Sequence, residues 1–109
     1  MLTQENLILS RTATDGNGGM QFLYKINQYG ISATNRPQED ISQIHWEVDV
    51  IKYHTGDAIK FDACHSTELA DKSLKFYSDK ALNEFLEKAF DYFRELKVLE
   101  SMLPEEKGS

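Results

Sequence analysis

One cysteine, Cys64, and two prolines, Pro37 and Pro104, are all that this sequence has of either type. A lone thiol excludes an intramolecular disulfide framework and a multi-cysteine zinc site. Long apolar runs are missing too. No segment approaches the ~20 consecutive apolar residues that cross a bilayer. Leu7-Ile8-Leu9 is too short for a signal-peptide core, and the residues before it include Glu5 and no basic cluster. These absences lead to the expectation of a cytoplasmic protein. There is no excess of positive charge: eighteen acids stand against twelve bases, net −6, which excludes a general attraction to nucleic acid or anionic membrane.

What the 109 residues do contain is apolar bulk. Six Phe, five Tyr and one Trp, with 40% hydrophobic residues overall, exclude a disordered chain and supply the core of one domain. The expected domain runs over residues 1–103, with 104–109 as a polar tail beyond Pro104.

Most of the chain reads as strands and turns. Leu7-Ile8-Leu9 opens a sheet, and Asp15-Gly16-Asn17-Gly18-Gly19 is a tight connection. Met20, Phe22, Tyr24 and Ile26 alternate with Gln21, Lys25 and Asn27, the period of a half-buried strand. Leu23 is the exception on the outer face. Asn27-Gln28-Tyr29-Gly30 is expected as a turn and Ile31-Ser32-Ala33-Thr34 as the returning strand. Residues 35–42 read as an exposed loop. Ile44, Trp46, Val48 and Val50 then alternate with His45, Glu47 and Asp49 in the cleanest strand pattern of the sequence. His54-Thr55-Gly56-Asp57 is a turn, and 58–62 pairs back. Residues 63–77 are ambiguous, with a short helix at Ser66-Thr67-Glu68-Leu69 as one reading, and Leu74 and Phe76 suiting strand or helix.

Ser78-Asp79 starts a long helix, Ser78 as the cap and Asp79 at the positive end of the dipole. Leu82, Phe85, Leu86, Ala89, Phe93 and Leu96 form one apolar stripe, widened by Phe90 and Tyr92. Charged residues occupy the opposite side. Val98 and Met102 break the pattern, four apart on the polar side: either the helix bends or frays near Lys97, or they form, with Tyr92, a contact surface for a second copy. The fold class that follows is α+β, an antiparallel sheet of four to five strands covered on one face by the C-terminal helix.

The charge is unevenly placed. Residues 1–36 carry +1 and residues 72–109 carry −1, whereas residues 37–71 carry eight acids against Lys52 and Lys60, a net of −6. A local acidic field steers basic partners and raises association rates. Glu39, Asp40, Glu47, Asp49, Asp57 and Asp62 are therefore the candidate partner-binding residues, their carboxylates standing where phosphates would lie on a nucleic-acid-binding partner. The plainer account is a solvated face.

No set of residues amounts to a catalytic signature. His45, Glu47 and Asp49 share a strand face but stand too far apart along it for one ion to reach both ends. Cys64-His65 pairs a thiol with an imidazole in sequence, yet neighbours on an extended chain point opposite ways, so a structural cysteine is the expectation. The glycine-rich stretch near Asn17 lacks the carboxylates of a calcium loop and the Gly-Lys-Ser/Thr ending of a phosphate loop. Trp46 and Tyr24, in phase with aliphatic neighbours, read as core rather than as a base-stacking platform. No metal or cofactor is expected.

The stretch Phe22-Leu23-Tyr24-Lys25-Ile26-Asn27-Gln28-Tyr29-Gly30-Ile31-Ser32, followed by His45-Trp46-Glu47-Val48-Asp49-Val50-Ile51, resembles a pattern in small uncharacterised phage and prophage proteins. Those carry an aromatic strand, an Asn-Gly-Tyr-Gly turn, a Trp-Glu strand and a C-terminal helix; here Gln28 stands where that turn has Gly. The resemblance implies an accessory protein of a mobile element that binds and blocks a host or rival protein. The leading expectation is thus a non-enzymatic acidic binding module of inhibitor or immunity type. The alternatives are a small cysteine-dependent enzyme using Cys64 with a histidine, and a self-associating structural subunit.

Overall fold

A computed structural model describes residues 2–12, 19–36, 45–56, 59–65, 67 and 69–102; the side chains of Arg36, His45 and residues 97–102 fall outside the description. Among the described residues six strands precede one helix: β1 (Leu7–Thr12), β2 (Met20–Ile26), β3 (Tyr29–Arg36), β4 (His45–Tyr53), β5 (Phe61–Ala63), β6 (Leu74–Phe76) and α1 (Asp79–Met102). Every pairing is antiparallel, in the order β1-β2-β3-β4-β5. The sixth strand, one more than the four or five expected, also lies against β4: β6 pairs with Trp46–Val48 and β5 with Ile51–Tyr53, so two short strands share one edge of β4.

The alternating residues make the layers. Tyr24 and Ile26 of β2, Ile31 and Ala33 of β3, and Trp46, Val48 and Val50 of β4 are all buried on one face, against Leu82, Leu86, Ala89, Phe90 and Phe93 of α1. Ring contacts mark the helix's course. Phe85 meets Phe76 at 5.1 Å, Phe90 meets Tyr24 at 5.6 Å, and Phe93 stacks on Tyr29 at 5.6 Å. At the helix start Ser78 Oγ accepts the Ala81 N–H, and the Trp46 indole N–H donates to Asp79 Oδ1 at 2.9 Å. The Trp46 bond holds the Asp79 carboxyl below its ordinary pKa, against the upward push of partial burial. The expected cap and stripe are as read, and the helix continues to Met102, two residues before Pro104.

Three readings change. The turn after β2 is Asn27-Gln28 alone, with Asn27 at φ +59, and Tyr29 and Gly30 belong to β3. Gly30 is a glycine because a Cβ there would collide with the Tyr24 carbonyl oxygen and lie 2.7 Å from the Tyr53 ring. Residues 63–77 resolve into β5's end and β6; Thr67 and Leu69 lie in bends, while Ser66 and Glu68, with the 13–18 connection, lie outside the described residues. Asn35 and Arg36, expected in the exposed loop, instead end β3 opposite Trp46 and His45, while residues 37–42 and the 104–109 tail lie outside the described residues. Leu23, the exception on the outer face, is wholly buried there with Ile51 and Tyr53, flanked by Leu9 and Phe61. The far face thus has a small core of its own. Tyr53 crosses Gly30 to donate its hydroxyl to the Tyr24 carbonyl at 2.9 Å.

Candidate functional site

Apart from that small cluster, the face of the sheet away from α1 is polar, and its side chains follow from strand register. In β4, Trp46, Val48 and Val50 face the helix, so Glu47 and Asp49 must face away. Across the ladder Glu47 stands opposite Thr34 and Lys75, and Asp49 opposite Ser32. Arg11 Nε donates to Gln21 Oε1 at 2.8 Å, and Gln21 Nε2 donates to the buried Ser32 Oγ at 2.9 Å. Beyond Ser32, Asp49 Oδ1 accepts a short bond from the Ser73 hydroxyl and lies 3.5 Å from His65 Nε2. A row of preset polar groups therefore crosses the uncovered face from a guanidinium on β1 to a carboxylate on β4.

The candidate acids separate on this frame. Glu47 and Asp49 share the uncovered face, both half-buried at their base. Asp62 pairs in register with Lys52, one step out of phase with Glu47 and Asp49, and the Lys52 ammonium sits 5.4 Å over the Tyr29 ring on the helix side. Asp62 accordingly belongs to the opposite face, where His54 Nε2 meets its carboxylate at 2.7 Å. Glu39, Asp40 and Asp57 lie outside the described residues. One sheet face joins two of the six, and a third is set apart from them.

Cys64 is half-buried against the main core, where its backbone N–H donates to the Val50 carbonyl at 2.7 Å between β5 and β6. His54 is engaged by Asp62 and His65 by Asp49, and the His45 side chain lies outside the described residues. Among the described residues no three His, Cys, Asp or Glu side chains converge to hold a metal ion, and no helix is long and apolar enough to cross a membrane. Of the three self-association residues, Tyr92 is half-buried edge-on to Phe93 at 5.8 Å, and the side chains of Val98 and Met102 are not described.

Sequence reasoning missed Ser73 and the Arg11–Gln21–Ser32 row. Alternation alone marks Gln21 and Ser32 as outward, but the partners of Asp49 are 16 and 24 residues away, beyond any local pattern. Comparison with known proteins finds no family model, no curated protein and no solved structure that matches this chain.

Proposed function

We propose that the chain is a non-enzymatic binding module that presents the uncovered sheet face to a basic surface of a protein partner, with Glu47 and Asp49 as its charged anchors. The supporting observation is their shared placement on a face that α1 leaves open, where register and cross-strand hydrogen bonds hold the neighbouring polar side chains in place before any partner arrives. Preset groups lose little freedom on association, so more of the contact energy survives as affinity. Asp62, on the other face, is not part of this surface. Within the mobile-element setting that the resemblance implies, the module is an inhibitor or immunity-type protein of the cytoplasm. Its partner offers lysines and arginines that otherwise meet phosphates.

The test places a photo-crosslinking residue at Thr34, beside Glu47, or at Lys88 on the outer side of α1. Crosslinks to partner are expected from Thr34 and not from Lys88. They should fall on raising the salt, and the Glu47→Lys, Asp49→Lys double variant should bind about tenfold or more weakly at low salt. Crosslinking only from Lys88, or full binding by the double variant, overturns the reading.

A further inference from the structure

A short segment ahead of β1 lies across the seam between α1 and β2, and its fastenings differ in kind from those of the sheet. Leu2 is buried in the main core. Behind it the Thr3 N–H donates to Asn83 Oδ1 at 2.8 Å, and the Thr3 carbonyl accepts from the Tyr24 hydroxyl at 2.8 Å. Glu5 reaches Arg94 at 3.2 Å, with both side chains about half exposed or more, at 64% and 48%. The chain then turns at Asn6, which takes φ +65, and enters β1. Between the segment and the helix remains a cleft of about 290 Å³, lined by Thr3, Glu5, Asn83, Glu87 and Phe90.

We propose that Leu2–Asn6 is a hinged strap that lifts from α1 as a unit, pivoting at Asn6, while the sheet beneath stays intact. Three features of the geometry support it. The pivot holds a left-handed conformation that Asn tolerates and most side chains do not. Among the described residues the Asn6 Nδ2 group is buried without a hydrogen-bond partner when the strap is down, and lifting gives it water, which offsets part of the cost of opening. The Glu5–Arg94 catch is exposed enough for water and salt to replace it. Leu2 and the two Thr3 hydrogen bonds resist, so the closed form dominates and the open form is a minor state of the kind that local fluctuations populate. Lifting widens the cleft and uncovers Phe90 and the Tyr24 hydroxyl.

Native-state hydrogen exchange on the full chain reads this directly. The Lys25 amide donates to the Asn6 carbonyl at 3.0 Å and the Leu7 amide to the Gln4 carbonyl at 3.1 Å, so both report on the strap; the Tyr53 amide, bonded to the Gln28 carbonyl, reports on the far end of the sheet. Lys25 and Leu7 should exchange at least tenfold faster than Tyr53. Asn6→Ala should speed the two strap reporters about tenfold, Asn6→Gly should leave them within about twofold of wild type, and Arg94→Gln or added salt should speed them about two- to fivefold, all with Tyr53 unchanged. Equal protection of the three amides, or variants that shift all three together, overturns the proposal. The surface change Arg94→Gln keeps the test valid should Asn6→Ala fail to fold.

Discussion

The two faces of the sheet solve the same problem differently. On one, a 24-residue helix lays a single apolar stripe over the aromatic and aliphatic rows of β2, β3 and β4. On the other, three apolar side chains, Leu23, Ile51 and Tyr53, are buried by their own neighbours, and beside them runs the hydrogen-bonded row of Arg11, Gln21 and Ser32. Both faces hang on β4, where the consecutive residues Val50 and Ile51 are each 1% exposed on opposite sides. A helix covers a sheet broadly. A tyrosine laid over a glycine covers it only at one point, and the remainder of that face stays available for contacts.

Gly30→Ala has the largest expected effect, since the added methyl would collide with the Tyr24 carbonyl oxygen and with the Tyr53 ring laid over it. The expected loss is about 5 kcal/mol or more, enough to unfold a domain of this size, visible as loss of a cooperative denaturation transition. Next in size, Leu86→Ala should cost about 3–5 kcal/mol in the main core, and Leu23→Ala about 2–3 kcal/mol, because the thinner cover above Leu23 can settle into the gap. Urea unfolding of the two variants would break the comparison if Leu23→Ala proved the costlier.

High pH should weaken the two faces alike. Burial pushes the Tyr24 phenol up to about 12, with the Asp79 charge adding to it, and burial raises Tyr53 to about 12 against a weaker downward pull from Arg11. Both folded values exceed the ordinary 10, so the native state holds protons that the unfolded chain releases. The stability this represents is fully present below pH 10 and is lost as pH rises through 12, about 2–3 kcal/mol per tyrosine. Tyr24→Phe and Tyr53→Phe should each flatten that alkaline slope by about half, read by circular dichroism beside tyrosinate absorbance.

Much of the covered face was legible because its elements repeat. Met20 to Ile26 and Trp46 to Val50 alternate, the α1 stripe recurs at three and four, and Ser78 announces the helix, so α+β with a covering helix follows from periodicity and one cap. The far face was harder to read. Leu23 looks like an error in an otherwise polar set until Tyr53, thirty residues on, is seen to cross Gly30. Gly30 itself reads as a turn residue, since a close approach of two chains leaves no local trace. β6 is only three residues long and borrows its strand conformation from β4. The acids were half legible: counting charge by segment found them, but register decides the side, and Lys52 with its neighbour Asp62 is out of phase with Asp49 on β4.

The order of the elements along the chain has a consequence during synthesis. The ribosome completes β4 at Tyr53 before the first residue of α1, Asp79, has been made. At cellular elongation rates of roughly 5–20 residues per second, the stretch between Tyr53 and α1 takes on the order of seconds to make, and until α1 has followed β4 out of the ribosome the face of Tyr24, Ile31, Val48 and Val50 lacks its cover. During that interval the emerging polypeptide offers a sticky slab to any chaperone, or to another unfinished copy on the same messenger. Slowed translation between β4 and α1 should therefore lower the soluble yield, even with every residue of the finished molecule unchanged.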